Sequence, residues 1–145
     1  TGGRVVGSGG SLHNLGALDP HGHTDDWAVE FEQWLLDVVE GNHFDRLVTK
    51  SGFPATFSRA HPSLEHYAPL VVAWAAGDPD RPGRRLHHSF SYGNLGMSCF
   101  ALDIGHNALN RDVHDAAPAR GSVTGGQADL EAGQAHVYIP GYLRS

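Results

Sequence analysis

Histidine outnumbers lysine and arginine together, 11 against 10, in a chain of 145 residues. Imidazole ligates metals and moves protons near neutral pH, so the excess points to metal or proton chemistry. Spacing sorts these residues. His21-Gly22-His23 brings two rings close on a loop that glycine loosens, and a solvated turn is the simpler account. His87 and His88 are adjacent on an expected strand, so they face opposite ways and do not readily share one ion. His61-Pro62-Ser63-Leu64-Glu65-His66 carries more information. It places His66 in the first turn of an expected helix. There the positive end of the helix dipole disfavours imidazolium and favours the neutral, ligating form. The plainer account is a first-turn histidine packed over a loop. His13 follows the glycine-rich run Gly7-Ser8-Gly9-Gly10-Ser11 at the C-terminal end of an expected strand. α/β proteins carry reactive groups at that position. A histidine that only bonds loop backbone is the alternative there.

Other chemistries lack their residues. The glycine-rich run has Leu12 where a dinucleotide fingerprint needs its third glycine, and no Lys-Ser/Thr ending for a phosphate loop. It is not a nucleophile elbow either. On these residues alone it reads as a tight strand-to-loop turn. There is no H-E-x-x-H and no C-x-x-C, so zincin and zinc-ribbon readings have no support. The formal net charge of −6 disfavours nucleic acid and anionic membranes as partners. The single cysteine, Cys99, excludes an internal disulfide framework and fits a reducing, cytoplasmic setting. No run reaches the roughly 18 apolar residues of a membrane span, and the first residues show no signal-peptide pattern.

The elements that must position these residues follow from hydrophobic period. Trp27, Phe31, Trp34, Leu35 and Val38 share one helical face, with capping residues at Thr24, Asp25 and Asp26 and a stop at Gly41. This predicts a helix over Asp25–Glu40. A shorter helix is expected over Phe44–Thr49 and another over Ser63–Ala76, with Pro69 inside it as an early-turn residue or a kink. Strands are expected at Arg4–Gly7, Arg84–Tyr92 and Met97–Leu102, with Leu86, His88, Phe90 and Tyr92 on one side of the second. The alternation predicts an α/β fold, a mixed sheet with flanking helices. Residues 104–145 hold seven Ala, six Gly and two aromatics. Their periodicity is poor, and they are expected to be a poorly ordered or unrelated C-terminal extension that packs loosely.

Three stretches together resemble one family. Val5 to Leu15 is similar to an "SG…HNL" segment. His61 to Leu70 matches an "HP-x-x-EH-x-x-PL" segment. Ser89 to Ser98 is similar to closing "G-x-L-S-M" strands. These are segments of the class III extradiol ring-cleavage dioxygenases, in the branch similar to DOPA 4,5-dioxygenase. The resemblance covers residues 1 to about 103. The second segment is its most specific part.

The resemblance implies cleavage of a catechol-type aromatic ring with O₂ at a non-haem Fe(II) or Zn(II) centre. Carried over residue by residue, His66 would be a metal ligand and His13 the acid/base group. His61 would line the substrate pocket. The family's "GHG-x-P" and "AHW" segments, each with a ligand histidine, are not in this sequence. The chain therefore reads as the C-terminal half of a larger single-domain fold. Its implied partners are a small aromatic diol, O₂, and either a complementary N-terminal part or a second copy. The rival readings are a non-catalytic α/β subunit or degenerate fragment of that family, and a small module whose glycine-rich loop holds an anion. An upstream "GHG-x-P" segment in frame would decide between them.

Overall fold

A computed structural model describes residues 5–78 and 80–102, and the backbone of residues 136–140. Helices and a mixed sheet make an α/β fold, as the alternation of periods predicts. The order is β1 (Val6–Gly9), α1 (Asp26–Glu40), α2 (Asp45–Val48), α3 (Phe57–Ala60), α4 (Ala68–Ala75), β2 (Arg84–His87), β3 (Phe90–Ser91), β4 (Leu95–Gly96), β5 (Cys99–Leu102) and β6 (His136–Pro140). None of these helices is long and apolar enough to cross a membrane.

The main sheet runs β1-β6-β5-β2. β6 lies parallel to β1, with Val6 opposite Val137, and antiparallel to β5, with Phe100 opposite Tyr138. Periodicity predicts no strand after Leu102, so β6 is an addition to the expected architecture. The rest of the 104–145 extension lies outside the described residues. The expected strand over Arg84–Tyr92 is two strands. A bulge between Arg85 and His87 breaks its alternation, and Leu86 and Tyr92 are exposed while Phe90 packs against the core. β3 and β4 form a separate hairpin, whose turn puts Tyr92 and Gly93 at positive φ, 47° and 76°. At Gly93 a Cβ would overlap the carbonyl oxygen of His23, so glycine is required there by space as well as by conformation.

α1 matches its expected span to within a residue. Phe31, Trp34, Leu35 and Val38 are buried, and Trp27 packs partly exposed against the same core. Asp25 is the N-cap residue but makes no capping bond. Its carboxylate instead accepts from Trp27 Nε1 at 2.9 Å and from Asn94 Nδ2 at 3.0 Å. The Trp27 bond is the main reason its pKa lies below the ordinary value.

α4 begins at Ala68 rather than Ser63. Pro69 sets that start: it has no N–H, which costs nothing only in a helix's first turn. The helix packs against β1 and β6, while α1 packs against β2, α3 and β4. Leu12, Phe31, Leu35, Leu70, Trp74, Phe100 and Leu102 fill the space between.

Candidate functional site

Gly7 and Gly9 of the run after Val6 lie in β1 and act by letting other backbone come close. A Cβ on Gly7 would overlap the carbonyl oxygen of Pro69, and one on Gly9 would overlap that of His66. Bare strand backbone therefore rests directly on the first turn of α4 and on the turn that precedes it. This contact carries His66 to the C-terminal end of β1, where the chain turns into Ser11, Leu12 and His13. The turn itself is closed by Tyr67 N–H and Ala68 N–H donating to Leu64 O, at 3.1 and 2.8 Å. His66 thus sits just before the helix, not in its first turn.

His13 and His66, far apart in sequence, meet face to face. Their ring centroids are 3.6 Å apart and their planes differ by 16°. His13 N–H donates to Ala60 O at 3.0 Å. Its neighbour Asn14 donates through Nδ2 to Arg59 O at 2.6 Å. Two bonds therefore pin the His13 loop to the end of α3. Burial first, and the adjacent His66 second, hold the His13 pKa below the ordinary imidazole value. Its Nε2 is buried and has no hydrogen-bond partner among the described residues.

His61 caps α3 and is 3% exposed. Its Nε2 lies 2.9 Å from Ser11 O. A carbonyl can only accept, so Nε2 carries the proton and Nδ1 is left as a bare acceptor. That Nδ1 is buried without a partner among the described residues. Burial, reinforced by the nearby His13 and His66, pushes the His61 pKa down to about 4. Phe31 meets the ring edge-on at 5.4 Å, and Tyr67 packs at 5.2 Å. The Tyr67 hydroxyl donates to Leu47 O at 2.9 Å. Glu65 lies exposed beside this group, its pKa lowered chiefly by the hydroxyl of Ser63, which donates to it at 2.7 Å.

The three histidines singled out by motif therefore gather around one end of β1. His21 and His23 lie on an exposed loop elsewhere, His23 3.8 Å from Asp25. Sequence reasoning missed Glu32, 1% exposed, which accepts from the Ser11 and Ser98 hydroxyls. The signal was present: Glu32 shares a helical face with Ala28, Leu35 and Val39.

The group fits a proton-handling role better than a complete metal centre. Imidazole ligates through lone pairs in the ring plane at about 2.0–2.1 Å. The His13 and His66 planes are nearly parallel, so they converge far beyond that distance. Among the described residues, no three His, Cys, Asp or Glu side chains are grouped to hold an ion.

No family model matches the chain. Two curated relatives do. A 4,5-DOPA dioxygenase extradiol of Portulaca grandiflora is 34% identical over 100 residues, 66% of this chain and 36% of that protein. A 4,5-DOPA dioxygenase extradiol of Beta vulgaris is 26% identical over 97 residues, with the same coverage of both chains. The chain spans about a third of the length of these relatives.

Proposed function

We propose, from the premise that this chain belongs over its matched region to the extradiol dioxygenase family, that it contributes the histidine wall of a site that opens a catechol-type ring with O₂. The observation that carries this reading is the stacked pair of His13 and His66, drawn from the two most specific motif segments, with His61 buried behind the same loop. His13 is the acid/base group. Its lowered proton affinity keeps the ring neutral near pH 7, ready to take a proton from a diol hydroxyl. His61 keeps its proton on Nε2 and lines the substrate pocket from behind the loop that carries His13. His66 is the metal ligand this family implies, with Fe(II) or Zn(II) as the ion. The described residues do not complete that centre, so the remaining ligands come from a complementary part. A reducing, cytoplasmic setting suits its single cysteine, Cys99.

The test joins this chain to the complementary part of a relative and supplies DOPA, O₂ and Fe(II). Ring-opened product is expected from the joined protein and none from the chain alone. His13→Ala should lower turnover by roughly 10²–10⁴-fold and leave metal content in place. His66→Ala should lower metal content. The rival reading, a non-catalytic subunit or degenerate fragment, draws on the incomplete ligand set. It predicts a joined protein without turnover, in which neither substitution changes bound metal.

A further inference from the structure

Glu32 is an ionisable side chain buried inside α1, 1% exposed. Burial raises its pKa above the ordinary carboxylate value, against the lowering effect of the Ser11 and Ser98 hydroxyls and the charge of Arg85. The fold makes room for it. A Cβ on Gly96 would overlap Glu32 Oε1, so the hairpin strand is bare where the carboxylate enters.

The hydrogen bonds around Glu32 have one consistent direction. Ser11 Oγ donates to Oε1, and Ser98 Oγ donates to Oε2 at 2.6 Å. Ser11 Oγ in turn accepts from Ser98 N–H at 3.0 Å. Ser98 has then used its hydroxyl proton, so toward His88 Nδ1, 3.1 Å away, it can only accept. His88 Nδ1 also lies 3.7 Å from Glu32 Oε2. With Glu32 accepting from both hydroxyls, this network sets His88 as the Nδ1–H tautomer.

The same Ser11 supplies the carbonyl that holds His61 Nε2–H. The next residue, Leu12, accepts from Gly96 N–H at 3.0 Å, and His13 N–H is held by Ala60. Every residue of the 11–13 loop is thus tied down. Leu12 and His13 are tied through their own backbone, while the Ser11 side chain is tied to Glu32.

We propose that Glu32 is a positioning residue for the histidine cluster, fixing through Ser11 the loop that carries His13 and holds the proton of His61. The proposal rests on reading His13 and His61 as site residues. Its test needs no turnover, so the two can fail separately.

The experiment is imidazole NMR of the ¹⁵N-labelled 145-residue chain. In the wild type, His61 should show a slowly exchanging Nε2–H signal and His88 an Nδ1–H signal. Ser11→Ala and Glu32→Ala should each speed exchange of the His61 proton by at least about tenfold, the equivalent of one lost hydrogen bond. Glu32→Gln should behave differently. Its carboxamide can accept from Ser11 and donate to Ser98, whose hydroxyl then turns to His88. The His61 signal should persist near its wild-type exchange rate, and His88 should become the Nε2–H tautomer. General destabilisation would not switch that tautomer. Wild-type exchange of His61 in Ser11→Ala overturns the proposal, and so does an unchanged His88 tautomer in Glu32→Gln. Should Glu32→Ala fail to fold, Ser11→Ala, which removes one hydroxyl, decides alone. If these shifts occur while the joined enzyme has no activity, the ring-cleavage reading falls and the role of Glu32 stands.

Discussion

His61 makes the stability of this fold depend on pH in a defined window. The unfolded chain binds its proton near the ordinary 6.5 and the folded chain only near 4. Between those values the unfolded state holds more protons, so stability is lost as pH falls from about 6.5 toward about 4. The full difference is about 3 kcal/mol for so buried a ring. Urea unfolding at pH 7 and pH 4.5 should show this loss in the wild type, and His61→Gln should remove most of it. An identical slope in both proteins would show that His61 is not the group responsible. The three histidines were legible because motif and spacing mark them directly. Glu32 was harder to read. Its helical face gave a hint, but its partners Ser11 and Ser98 lie 21 and 66 residues away. Which serines meet a buried carboxylate is decided by tertiary packing, and nothing local records it.

At the scale of elements, the contact between β1 and the start of α4 brings the histidines together. Gly9→Ala should push the His66 turn off the strand, because the added methyl lands on backbone rather than on a flexible side chain. The expected destabilisation is about 1–3 kcal/mol, with loss of the ring-to-ring NOE between His13 and His66. A variant of unchanged stability that keeps this NOE would mean that the close approach is incidental. The glycines were visible in the sequence, but their reason was not. A glycine-rich run reads equally well as a turn or as a bare strand, and only the partner lying across it separates the two. α1 was legible because its apolar spacing repeats over four turns. The start of α4 was displaced because Ser63 and Glu65 offer plausible capping chemistry, while Pro69 holds the first turn further on.

The whole molecule depends on a strand drawn from the stretch that looked least structured. Val137-Tyr138-Ile139 is a good strand sequence, but the Ala- and Gly-rich residues before it mask the signal in any window long enough to show a period. In the sheet order β1-β6-β5-β2 it supplies the partner strand of β1 and joins β1 to the rest of the sheet. β1 is ill-suited to stand alone, since Gly7 and Gly9 lower its strand propensity and Val6 is exposed. A chain ended after residue 103 would leave β1 held by its packing on α4 and by the loop bonds of Leu12 and His13. It would also leave an edge of β5 unpaired, open to association with other chains. We therefore expect the shortened chain to lose cooperative urea unfolding, or to unfold at a clearly lower urea concentration, and to lose the His13–His66 NOE with it. If instead residues 1–103 unfold at the full chain's midpoint and keep that NOE, the boundary proposed near residue 103 is a true domain edge. The strand at 136–140 would then add nothing to the fold that builds the histidine cluster.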